Sequence, residues 1–406
     1  MIKIKDKALC AGCGACVQSC PLHCIFMRTD EEGFCYPEAD QEKCVECGIC
    51  EHVCPCINKL HHSEQEPDVW CVRHQNDRIR FDSSSGGVFS ALAEWIIKQG
   101  GIVFGAELSE DCQSVKHTAV GALEEIERIR GSKYVQSSVG NTYLCAKEYL
   151  EQRKKVLFSG TPCQIKGLKL YLEKDFDYLV CVDVICHGVP SQSLWAKYAE
   201  YLQEKFGTEI SSVNFRSKKY GWRDFGTKYL GNRRKQYFKF NFEDPYFRMF
   251  NSNLCLRPSC YQCQAKDGES GADITLGDFW NVESVFPELN DNKGISMVLL
   301  NSDKGKKLFE TVRKEFYATN KGLSYELAKK CNPAIYKSQP YPAVRSAFYA
   351  DMNNMSFCRL SEKYVPATMK IALKALLLRI GLWPYIEKKR GGGVMPDYGI
   401  LVIYKN

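Results

Sequence analysis

The chain has 406 residues, of which 45% are hydrophobic and 25% charged, and it carries a net charge of +7 at neutral pH. That length exceeds one ordinary hydrophobic core and calls for roughly two or three domains of soluble, globular character. Lys and Arg are scattered without interleaved aromatics, which argues against nucleic acid as a partner, and no apolar run of about 18 residues exists to span a membrane.

The chain opens on two cysteine runs, Cys10-x2-Cys13-x2-Cys16-x3-Cys20-Pro21 and Cys44-x2-Cys47-x2-Cys50-x3-Cys54-Pro55. This is the bacterial ferredoxin spacing for two 4Fe–4S clusters, in which the fourth cysteine of each run ligates the other cluster. One cluster is therefore expected on Cys10, Cys13, Cys16 and Cys54, and the other on Cys44, Cys47, Cys50 and Cys20. Gly12, Gly14 and Gly48 fit the tight turns between ligands. A zinc site or a disulfide scaffold is the competing reading, but zinc generally uses separate CxxC pairs. The start, MIKIKDKALC, has no signal-peptide core, so reduced thiols in the cytoplasm are expected.

Residues 61–67 (HHSEQEP) read as a linker. Beyond Asp68 the pattern alternates strands and helices. Phe89, Leu92, Ala93, Ile96 and Ile97 share one helical face, stopped by Gly100-Gly101. Strands are expected at Ile102–Ala106, Val156–Ser159 and Tyr178–Cys186, with helices at Asn141–Gln152, Gln164–Lys174 and Pro190–Phe206. This is an α/β arrangement with a partly parallel sheet. Further on, Asp273–Leu276 and Ile295–Leu300 read as strands and Ser302–Phe316 as a helix. Met369–Trp383, with Lys370, Lys374 and Arg379, has the mix of an amphipathic helix that either touches a membrane surface or packs on its own domain. A glycine turn at 391–393 precedes a final apolar strand at 399–404. The basic clusters Arg153–Lys155 and Arg233–Lys235 are either solvated surface or a docking patch for an acidic electron carrier.

Several motifs in the larger part carry chemistry. Ser83-Ser84-Ser85-Gly86-Gly87 precedes a helix and either holds a pyrophosphate or acts as an ordinary cap and turn. Cys163, in Gly160-Thr161-Pro162-Cys163, and Cys186, in Cys186-His187-Gly188, lie at strand carboxyl ends, where open α/β sheets bind ligands. With Cys260 and Cys263 of CLRPSCYQC they make a set of four for one further cluster, Cys255 being the substitute. His187 is a proton donor or a structural histidine. Arg130-Gly131-Ser132-Lys133-Tyr134 offers charge, hydroxyls and an aromatic face, or is a solvated loop. Asp273 and Asp278 of ADITLGDFW orient groups near a cofactor or serve a turn.

Taken together, SSSGGVFSAL, RGSKYVQS, FSGTPCQIKGL, ICHGVPS and SCYQC…ADITLGDFW resemble the coenzyme F-420 (deazaflavin) hydrogenase/dehydrogenase beta-subunit family, over about residues 70–300. The resemblance implies a flavoprotein with FAD beside a 4Fe–4S cluster. Ser85, Gly86 and Gly87 would then contact FAD phosphate, Ser132, Lys133 and Tyr134 would line the flavin site, and Cys163, Cys186, Cys260 and Cys263 would hold the cluster. The expected fold is a multidomain α+β / α/β chain. A ferredoxin-like two-cluster module occupies 1–60, followed by an α/β flavin- and cluster-binding domain in two parts, 68–210 and 211–365, and by a C-terminal helix and tail, 366–406. The expected function is an iron–sulfur flavoprotein oxidoreductase. It would pass electrons between a ferredoxin- or flavodoxin-type carrier and a small-molecule or glycan-linked substrate, and similar bacterial proteins accompany surface-polysaccharide genes. The alternatives are a non-catalytic member of a larger electron-transfer complex, a deazaflavin reductase, and a scaffold with structural metals only.

Overall fold

The computed structural model describes residues 2–60, 65–232, 235–383 and 386. The glycine turn at 391–393 and the strand expected at 399–404 lie outside the described residues, as does most of the linker.

The N-terminal module is built on one antiparallel hairpin, β1 (Ile25–Thr29) and β2 (Cys35–Ala39). Asp30 closes its turn by accepting the backbone N–H groups of Glu32 and Phe34 on Oδ1. The two cysteine runs wrap short helical turns, Ala15–Gln18 and Ile49–His52. Gly14 (φ 74°) and Gly48 (φ 78°) start these turns in the left-handed region, a conformation that suits glycine.

The larger part is organised around an eight-stranded sheet. In chain order it uses β3 (Asp68–His74), β4 (Ile102–Leu108), β5 (Val115–Val120), β6 (Val156–Gly160) and β7 (Leu179–Val184). A separate three-stranded antiparallel sheet follows, β8 (Ile210–Ser217), β9 (Gly226–Gly231) and β10 (Gln236–Phe240). The chain then returns to complete the first sheet with β11 (Ile274–Asp278), β12 (Ser296–Leu300) and β13 (Phe316–Thr319), giving the order β13-β3-β12-β11-β7-β6-β4-β5. The central strands β4, β6, β7 and β11 are mutually parallel, and every pairing outside them is antiparallel. Because β11 pairs with β7, the parts 68–210 and 211–365 share one sheet.

Both faces of this sheet are covered. Helices α1 (Val88–Lys98) and, later in the chain, 303–312 bury Leu92, Ile96, Leu308 and Phe309 against Leu157 and Val298. On the other face α2 (Thr142–Glu151) and α3 (Pro162–Leu172) bury Ala146, Leu150, Ile165 and Leu168 against Val156 and Phe158. Successive β6 residues thus feed opposite cores, as the pleat requires. Helix α4 (Gln192–Phe206) packs on an aromatic core with β8 and β9. Next come α5 (Asp303–Val312), α6 (Arg345–Asn354), α7 (Phe357–Tyr364) and α8 (Met369–Arg379). Helix α5 is shorter than the sequence suggests, because its last turn tightens at Arg313–Glu315 and the chain continues as β13. Helix α8 buries Ala375 and Leu378 against Phe240 and leaves Met369, Leu373 and Leu376 exposed. It packs on its own domain. Among the described residues no helix is long and apolar enough to cross a membrane.

The module is locked onto the larger part. Arg345 makes a bidentate ion pair with Glu32 at 2.8 and 2.6 Å and also donates to the Leu256 carbonyl. The Gln18 carbonyl oxygen caps the start of α2 through the N–H groups of Tyr143 and Leu144. A Cβ at Gly167 of α3 would stand 2.9 Å from the Cys13 sulfur, so this glycine lets the first cysteine loop lie on the helix.

Candidate functional site

The eight module cysteines surround two cavities. Cys10, Cys13, Cys16 and Cys54 line one, and Cys20, Cys44, Cys47 and Cys50 line the other. Each run gives three thiols to its own cavity and its fourth to its neighbour. All four cysteines of the first cavity are buried, whereas Cys47 at the second is exposed. Each cavity also meets a fifth thiol that the spacing did not single out as a ligand. Cys24 lies in the second, 3.4 Å from the Cys20 sulfur, and Cys56 borders the first. Among the described residues no three His, Cys, Asp or Glu side chains converge on a point that would hold a single metal ion.

A third cavity lies between the module and the sheet. Cys163 enters it from the first turn of α3, Cys186 from the chain just past β7, and Cys260 and Cys263 from the turn at Pro258–Gln262. The ends of parallel strands β6 and β7 therefore aim both of their cysteines at one edge of the sheet. Cys255 is elsewhere: it is fully buried in the aromatic core, and its carbonyl accepts the Tyr349 hydroxyl at 2.8 Å. Ala11, Pro55 and Cys56 form the module side of the third cavity, so Cys56 borders both the first and the third.

Arg257 connects these two cavities. Its guanidinium is buried, donates to the Cys10 carbonyl at 2.7 Å and the Cys35 carbonyl at 2.9 Å, and lies 3.5 Å from the Cys10 sulfur. It sits over the Tyr36 ring at 4.3 Å and also lines the third cavity. Lys266, another buried cation, lines that cavity and donates to the Cys186 carbonyl.

Next to the third cavity is a pocket of about 450 Å³, and Cys163, Cys186 and His187 line both. Ser85, Gly87, Ser132, Lys133 and Tyr134 face this pocket. Gly86 does not: its Cβ position is 2.4 Å from the Val72 carbonyl, and its N–H donates to Ser296 Oγ. It is a glycine because β3 and β12 press on it, which corrects its expected contact with a ligand. The Ser85 hydroxyl is spent on the Ile295 carbonyl. What this segment offers the pocket is the start of α1, where Gly87 (φ 90°) leads in and no side chain caps the helix.

Lys133 Nζ donates to the Arg128 and Arg130 carbonyls, and burial pushes its pKa down to about 7. His187 donates from Nε2 to Asn253 Oδ1 at 2.7 Å and packs on Phe250. Burial pulls its pKa down to about 4, so the ring is neutral at pH 7 and its N–H is already engaged.

Among the pocket residues that escaped the sequence reading are Arg216 and His117. Arg216 at the end of β8 is buried, donates to the Tyr134 hydroxyl, the Ser84 carbonyl and Asp278, and lies 3.9 Å from the Phe225 ring centre. His117 on β5 stacks on Phe158 and hydrogen-bonds the Ser159 carbonyl at 3.0 Å. Both are isolated residues in unremarkable stretches, and only the sheet brings them to the pocket. Asp278 holds Arg216 and the Trp222 indole, while Asp273 accepts the Cys181 N–H and the Ser302 hydroxyl. One aspartate therefore serves the pocket and the other the scaffold.

Residues 153–324 match the family described as the C terminus of the coenzyme F420 hydrogenase/dehydrogenase beta subunit, and residues 9–58 match the 4Fe-4S dicluster domain. No curated protein matches the chain. Among solved structures, a chain of the xenon-derivatised F420-reducing [NiFe] hydrogenase complex from Methanosarcina barkeri is similar, with 16% identity and a TM-score of 0.45, over 68% of this chain and 92% of that one. The chain thus carries a match to a 4Fe-4S dicluster domain ahead of a match to the C terminus of a coenzyme F420 hydrogenase/dehydrogenase beta subunit, and it is an iron–sulfur electron-transfer protein related to that beta subunit.

Proposed function

We propose that this protein is an iron–sulfur flavoprotein oxidoreductase, linking a low-potential electron carrier to a small-molecule substrate through three 4Fe–4S clusters and FAD. The observation that carries this reading is the shared wall, because Cys163 and Cys186 border both the third thiol cavity and the large pocket. The donor sets fit the groups. Four thiols spaced around each small cavity suit the four iron corners of a cubane. The uncapped start of α1 suits a phosphate, and Tyr134, Phe225 and Trp280 give the pocket the aromatic walls that a flavin ring needs. When bound, the clusters relay single electrons and the flavin exchanges them in pairs.

The chain's own residues set the conditions for this chemistry. Arg216 and Asp278 form a buried ion pair at the pocket wall, and Arg216 also fixes the Tyr134 hydroxyl. His187 keeps its proton on Nε2 toward Asn253, which makes it a positioning residue in the wall rather than an acid. The reading is tested by purifying the protein without oxygen. About twelve iron and twelve sulfide per chain are expected, with FAD released on denaturation and turnover of a small-molecule acceptor in the absence of any partner. A colourless preparation without acid-labile sulfide, or zinc in place of iron, refutes it.

A further inference from the structure

We propose that the face of the module over the second thiol cavity is the docking site for a one-electron carrier, and that this carrier presents a basic collar. The inference deepens the proposed function and rests on its reading of the thiol cavities as cluster sites. Of the three cavities, only the second has an exposed cysteine in its wall among the described residues, Cys47. Around it stand Leu22, Val45 and Ile49, which line the same cavity and are 46%, 69% and 37% exposed. Three large apolar side chains ringing a solvent-facing redox centre form a small exposed hydrophobic patch. Such patches mark interaction sites, and weak redox encounters use small ones.

Charge selects the occupant. Between positions 38 and 51 the sequence places five carboxylates and one lysine, and Glu46 itself lines the cavity. Lys43 is paired with Asp40 and Arg28 with Glu38. Even with both cations counted, this stretch is acidic on a chain whose net charge is +7. Of the two basic clusters read as solvated surface or as a dock for an acidic carrier, Arg153–Lys155 lies at the amino end of β6, whereas Cys163 follows its carboxyl end, and Lys155 is stacked over Trp95 at 4.4 Å; residues 233 and 234 of the other lie outside the described residues. An acidic carrier would meet repulsion from the carboxylates near Cys47. A carrier with Lys and Arg around its own cofactor edge would be steered onto them. In the encounter one electron leaves the reduced carrier, which is oxidised by one, and enters the second cluster, which is reduced by one. The reverse exchange uses the same face.

Dithionite-reduced holoprotein is mixed by stopped flow with ferric cytochrome c, a basic haem protein that takes up one electron. The same protein is mixed in parallel with oxidised flavodoxin, an acidic carrier. The rate constant for cytochrome c is expected to fall as salt rises, although both net charges are positive. In Glu42→Lys/Glu46→Lys the low-salt rate to cytochrome c should drop at least fivefold while the rate to flavodoxin rises. Val45→Ser should slow both without changing either salt slope. A cytochrome c rate that rises with salt in the wild type, or a charge-reversed variant that keeps its iron and its wild-type rates, overturns the proposal. Absence of iron from the wild-type protein would instead fail the cluster reading on which it rests.

Discussion

Replacing Arg257 tests whether the guanidinium beside Cys10 tunes a cluster. At the observed 3.5 Å from the Cys10 sulfur, a unit charge pair interacts by about 5 kcal/mol at an effective dielectric near 20. An electron added to a cubane is spread over its core and four thiolates, so only a fraction of that energy, roughly 1–1.5 kcal/mol, changes with reduction. For a one-electron couple this corresponds to about 40–65 mV. Arg257→Gln is therefore expected to move one cluster midpoint to more negative potential by about that amount, while Arg257→Lys restores most of it. The assay is a potentiometric titration followed by electron paramagnetic resonance, with iron counted on the same samples. Because Arg257 also donates to the Cys10 and Cys35 carbonyls, part of its role is to clamp the module. Two variants that keep all their iron and leave every midpoint unchanged would refute the electrostatic argument.

Two further outcomes are expected. Cys163→Ala should lose about four irons, one cubane's worth, whereas Cys255→Ala should keep all of them, since Cys255 sits in the aromatic core away from the third cavity; equal iron contents would reject the ligand choice. Asp183 on β7 is buried, and burial raises its pKa to about 6. A raised folded-state pKa means that the protonated form supports the fold below about pH 4, and this support is lost as pH rises through about 6. Asp183→Asn should therefore stabilise the protein by up to about 3 kcal/mol near pH 7.5 and by less at pH 5.5, as read from urea midpoints; a gain independent of pH would refute it.

The parts of the site that were legible in the sequence are those written as local spacing. Cluster loops put their ligands three residues apart, so the cysteine runs announce the two module cavities directly. Cys163 and Cys186 were legible for a related reason, since each follows the end of a strand in a recognisable α/β unit. Long-range convergence is not written in any local pattern. Arg216 and His117 reach the pocket only because β8 and β5 are brought there by the fold. The strands β3 and β13 went unread because each takes its place by pairing with distant partners, β3 lying between β12 and β13. Gly86 shows the opposite failure: its place in a glycine-rich run suggested a ligand, but the constraint is the backbone of β3 and the chain at Ser296.

The crosswise lending of Cys20 and Cys54 has a consequence for how the protein matures. Neither cysteine loop can complete a binding shell with its own residues, so a nascent chain that has emerged only as far as residue 43 owns no finished receptor. The β1–β2 hairpin joins the two loops, so both shells depend on the same pairing of the chain. Loss of Cys20 or Cys54 therefore opens the shell of the neighbouring run.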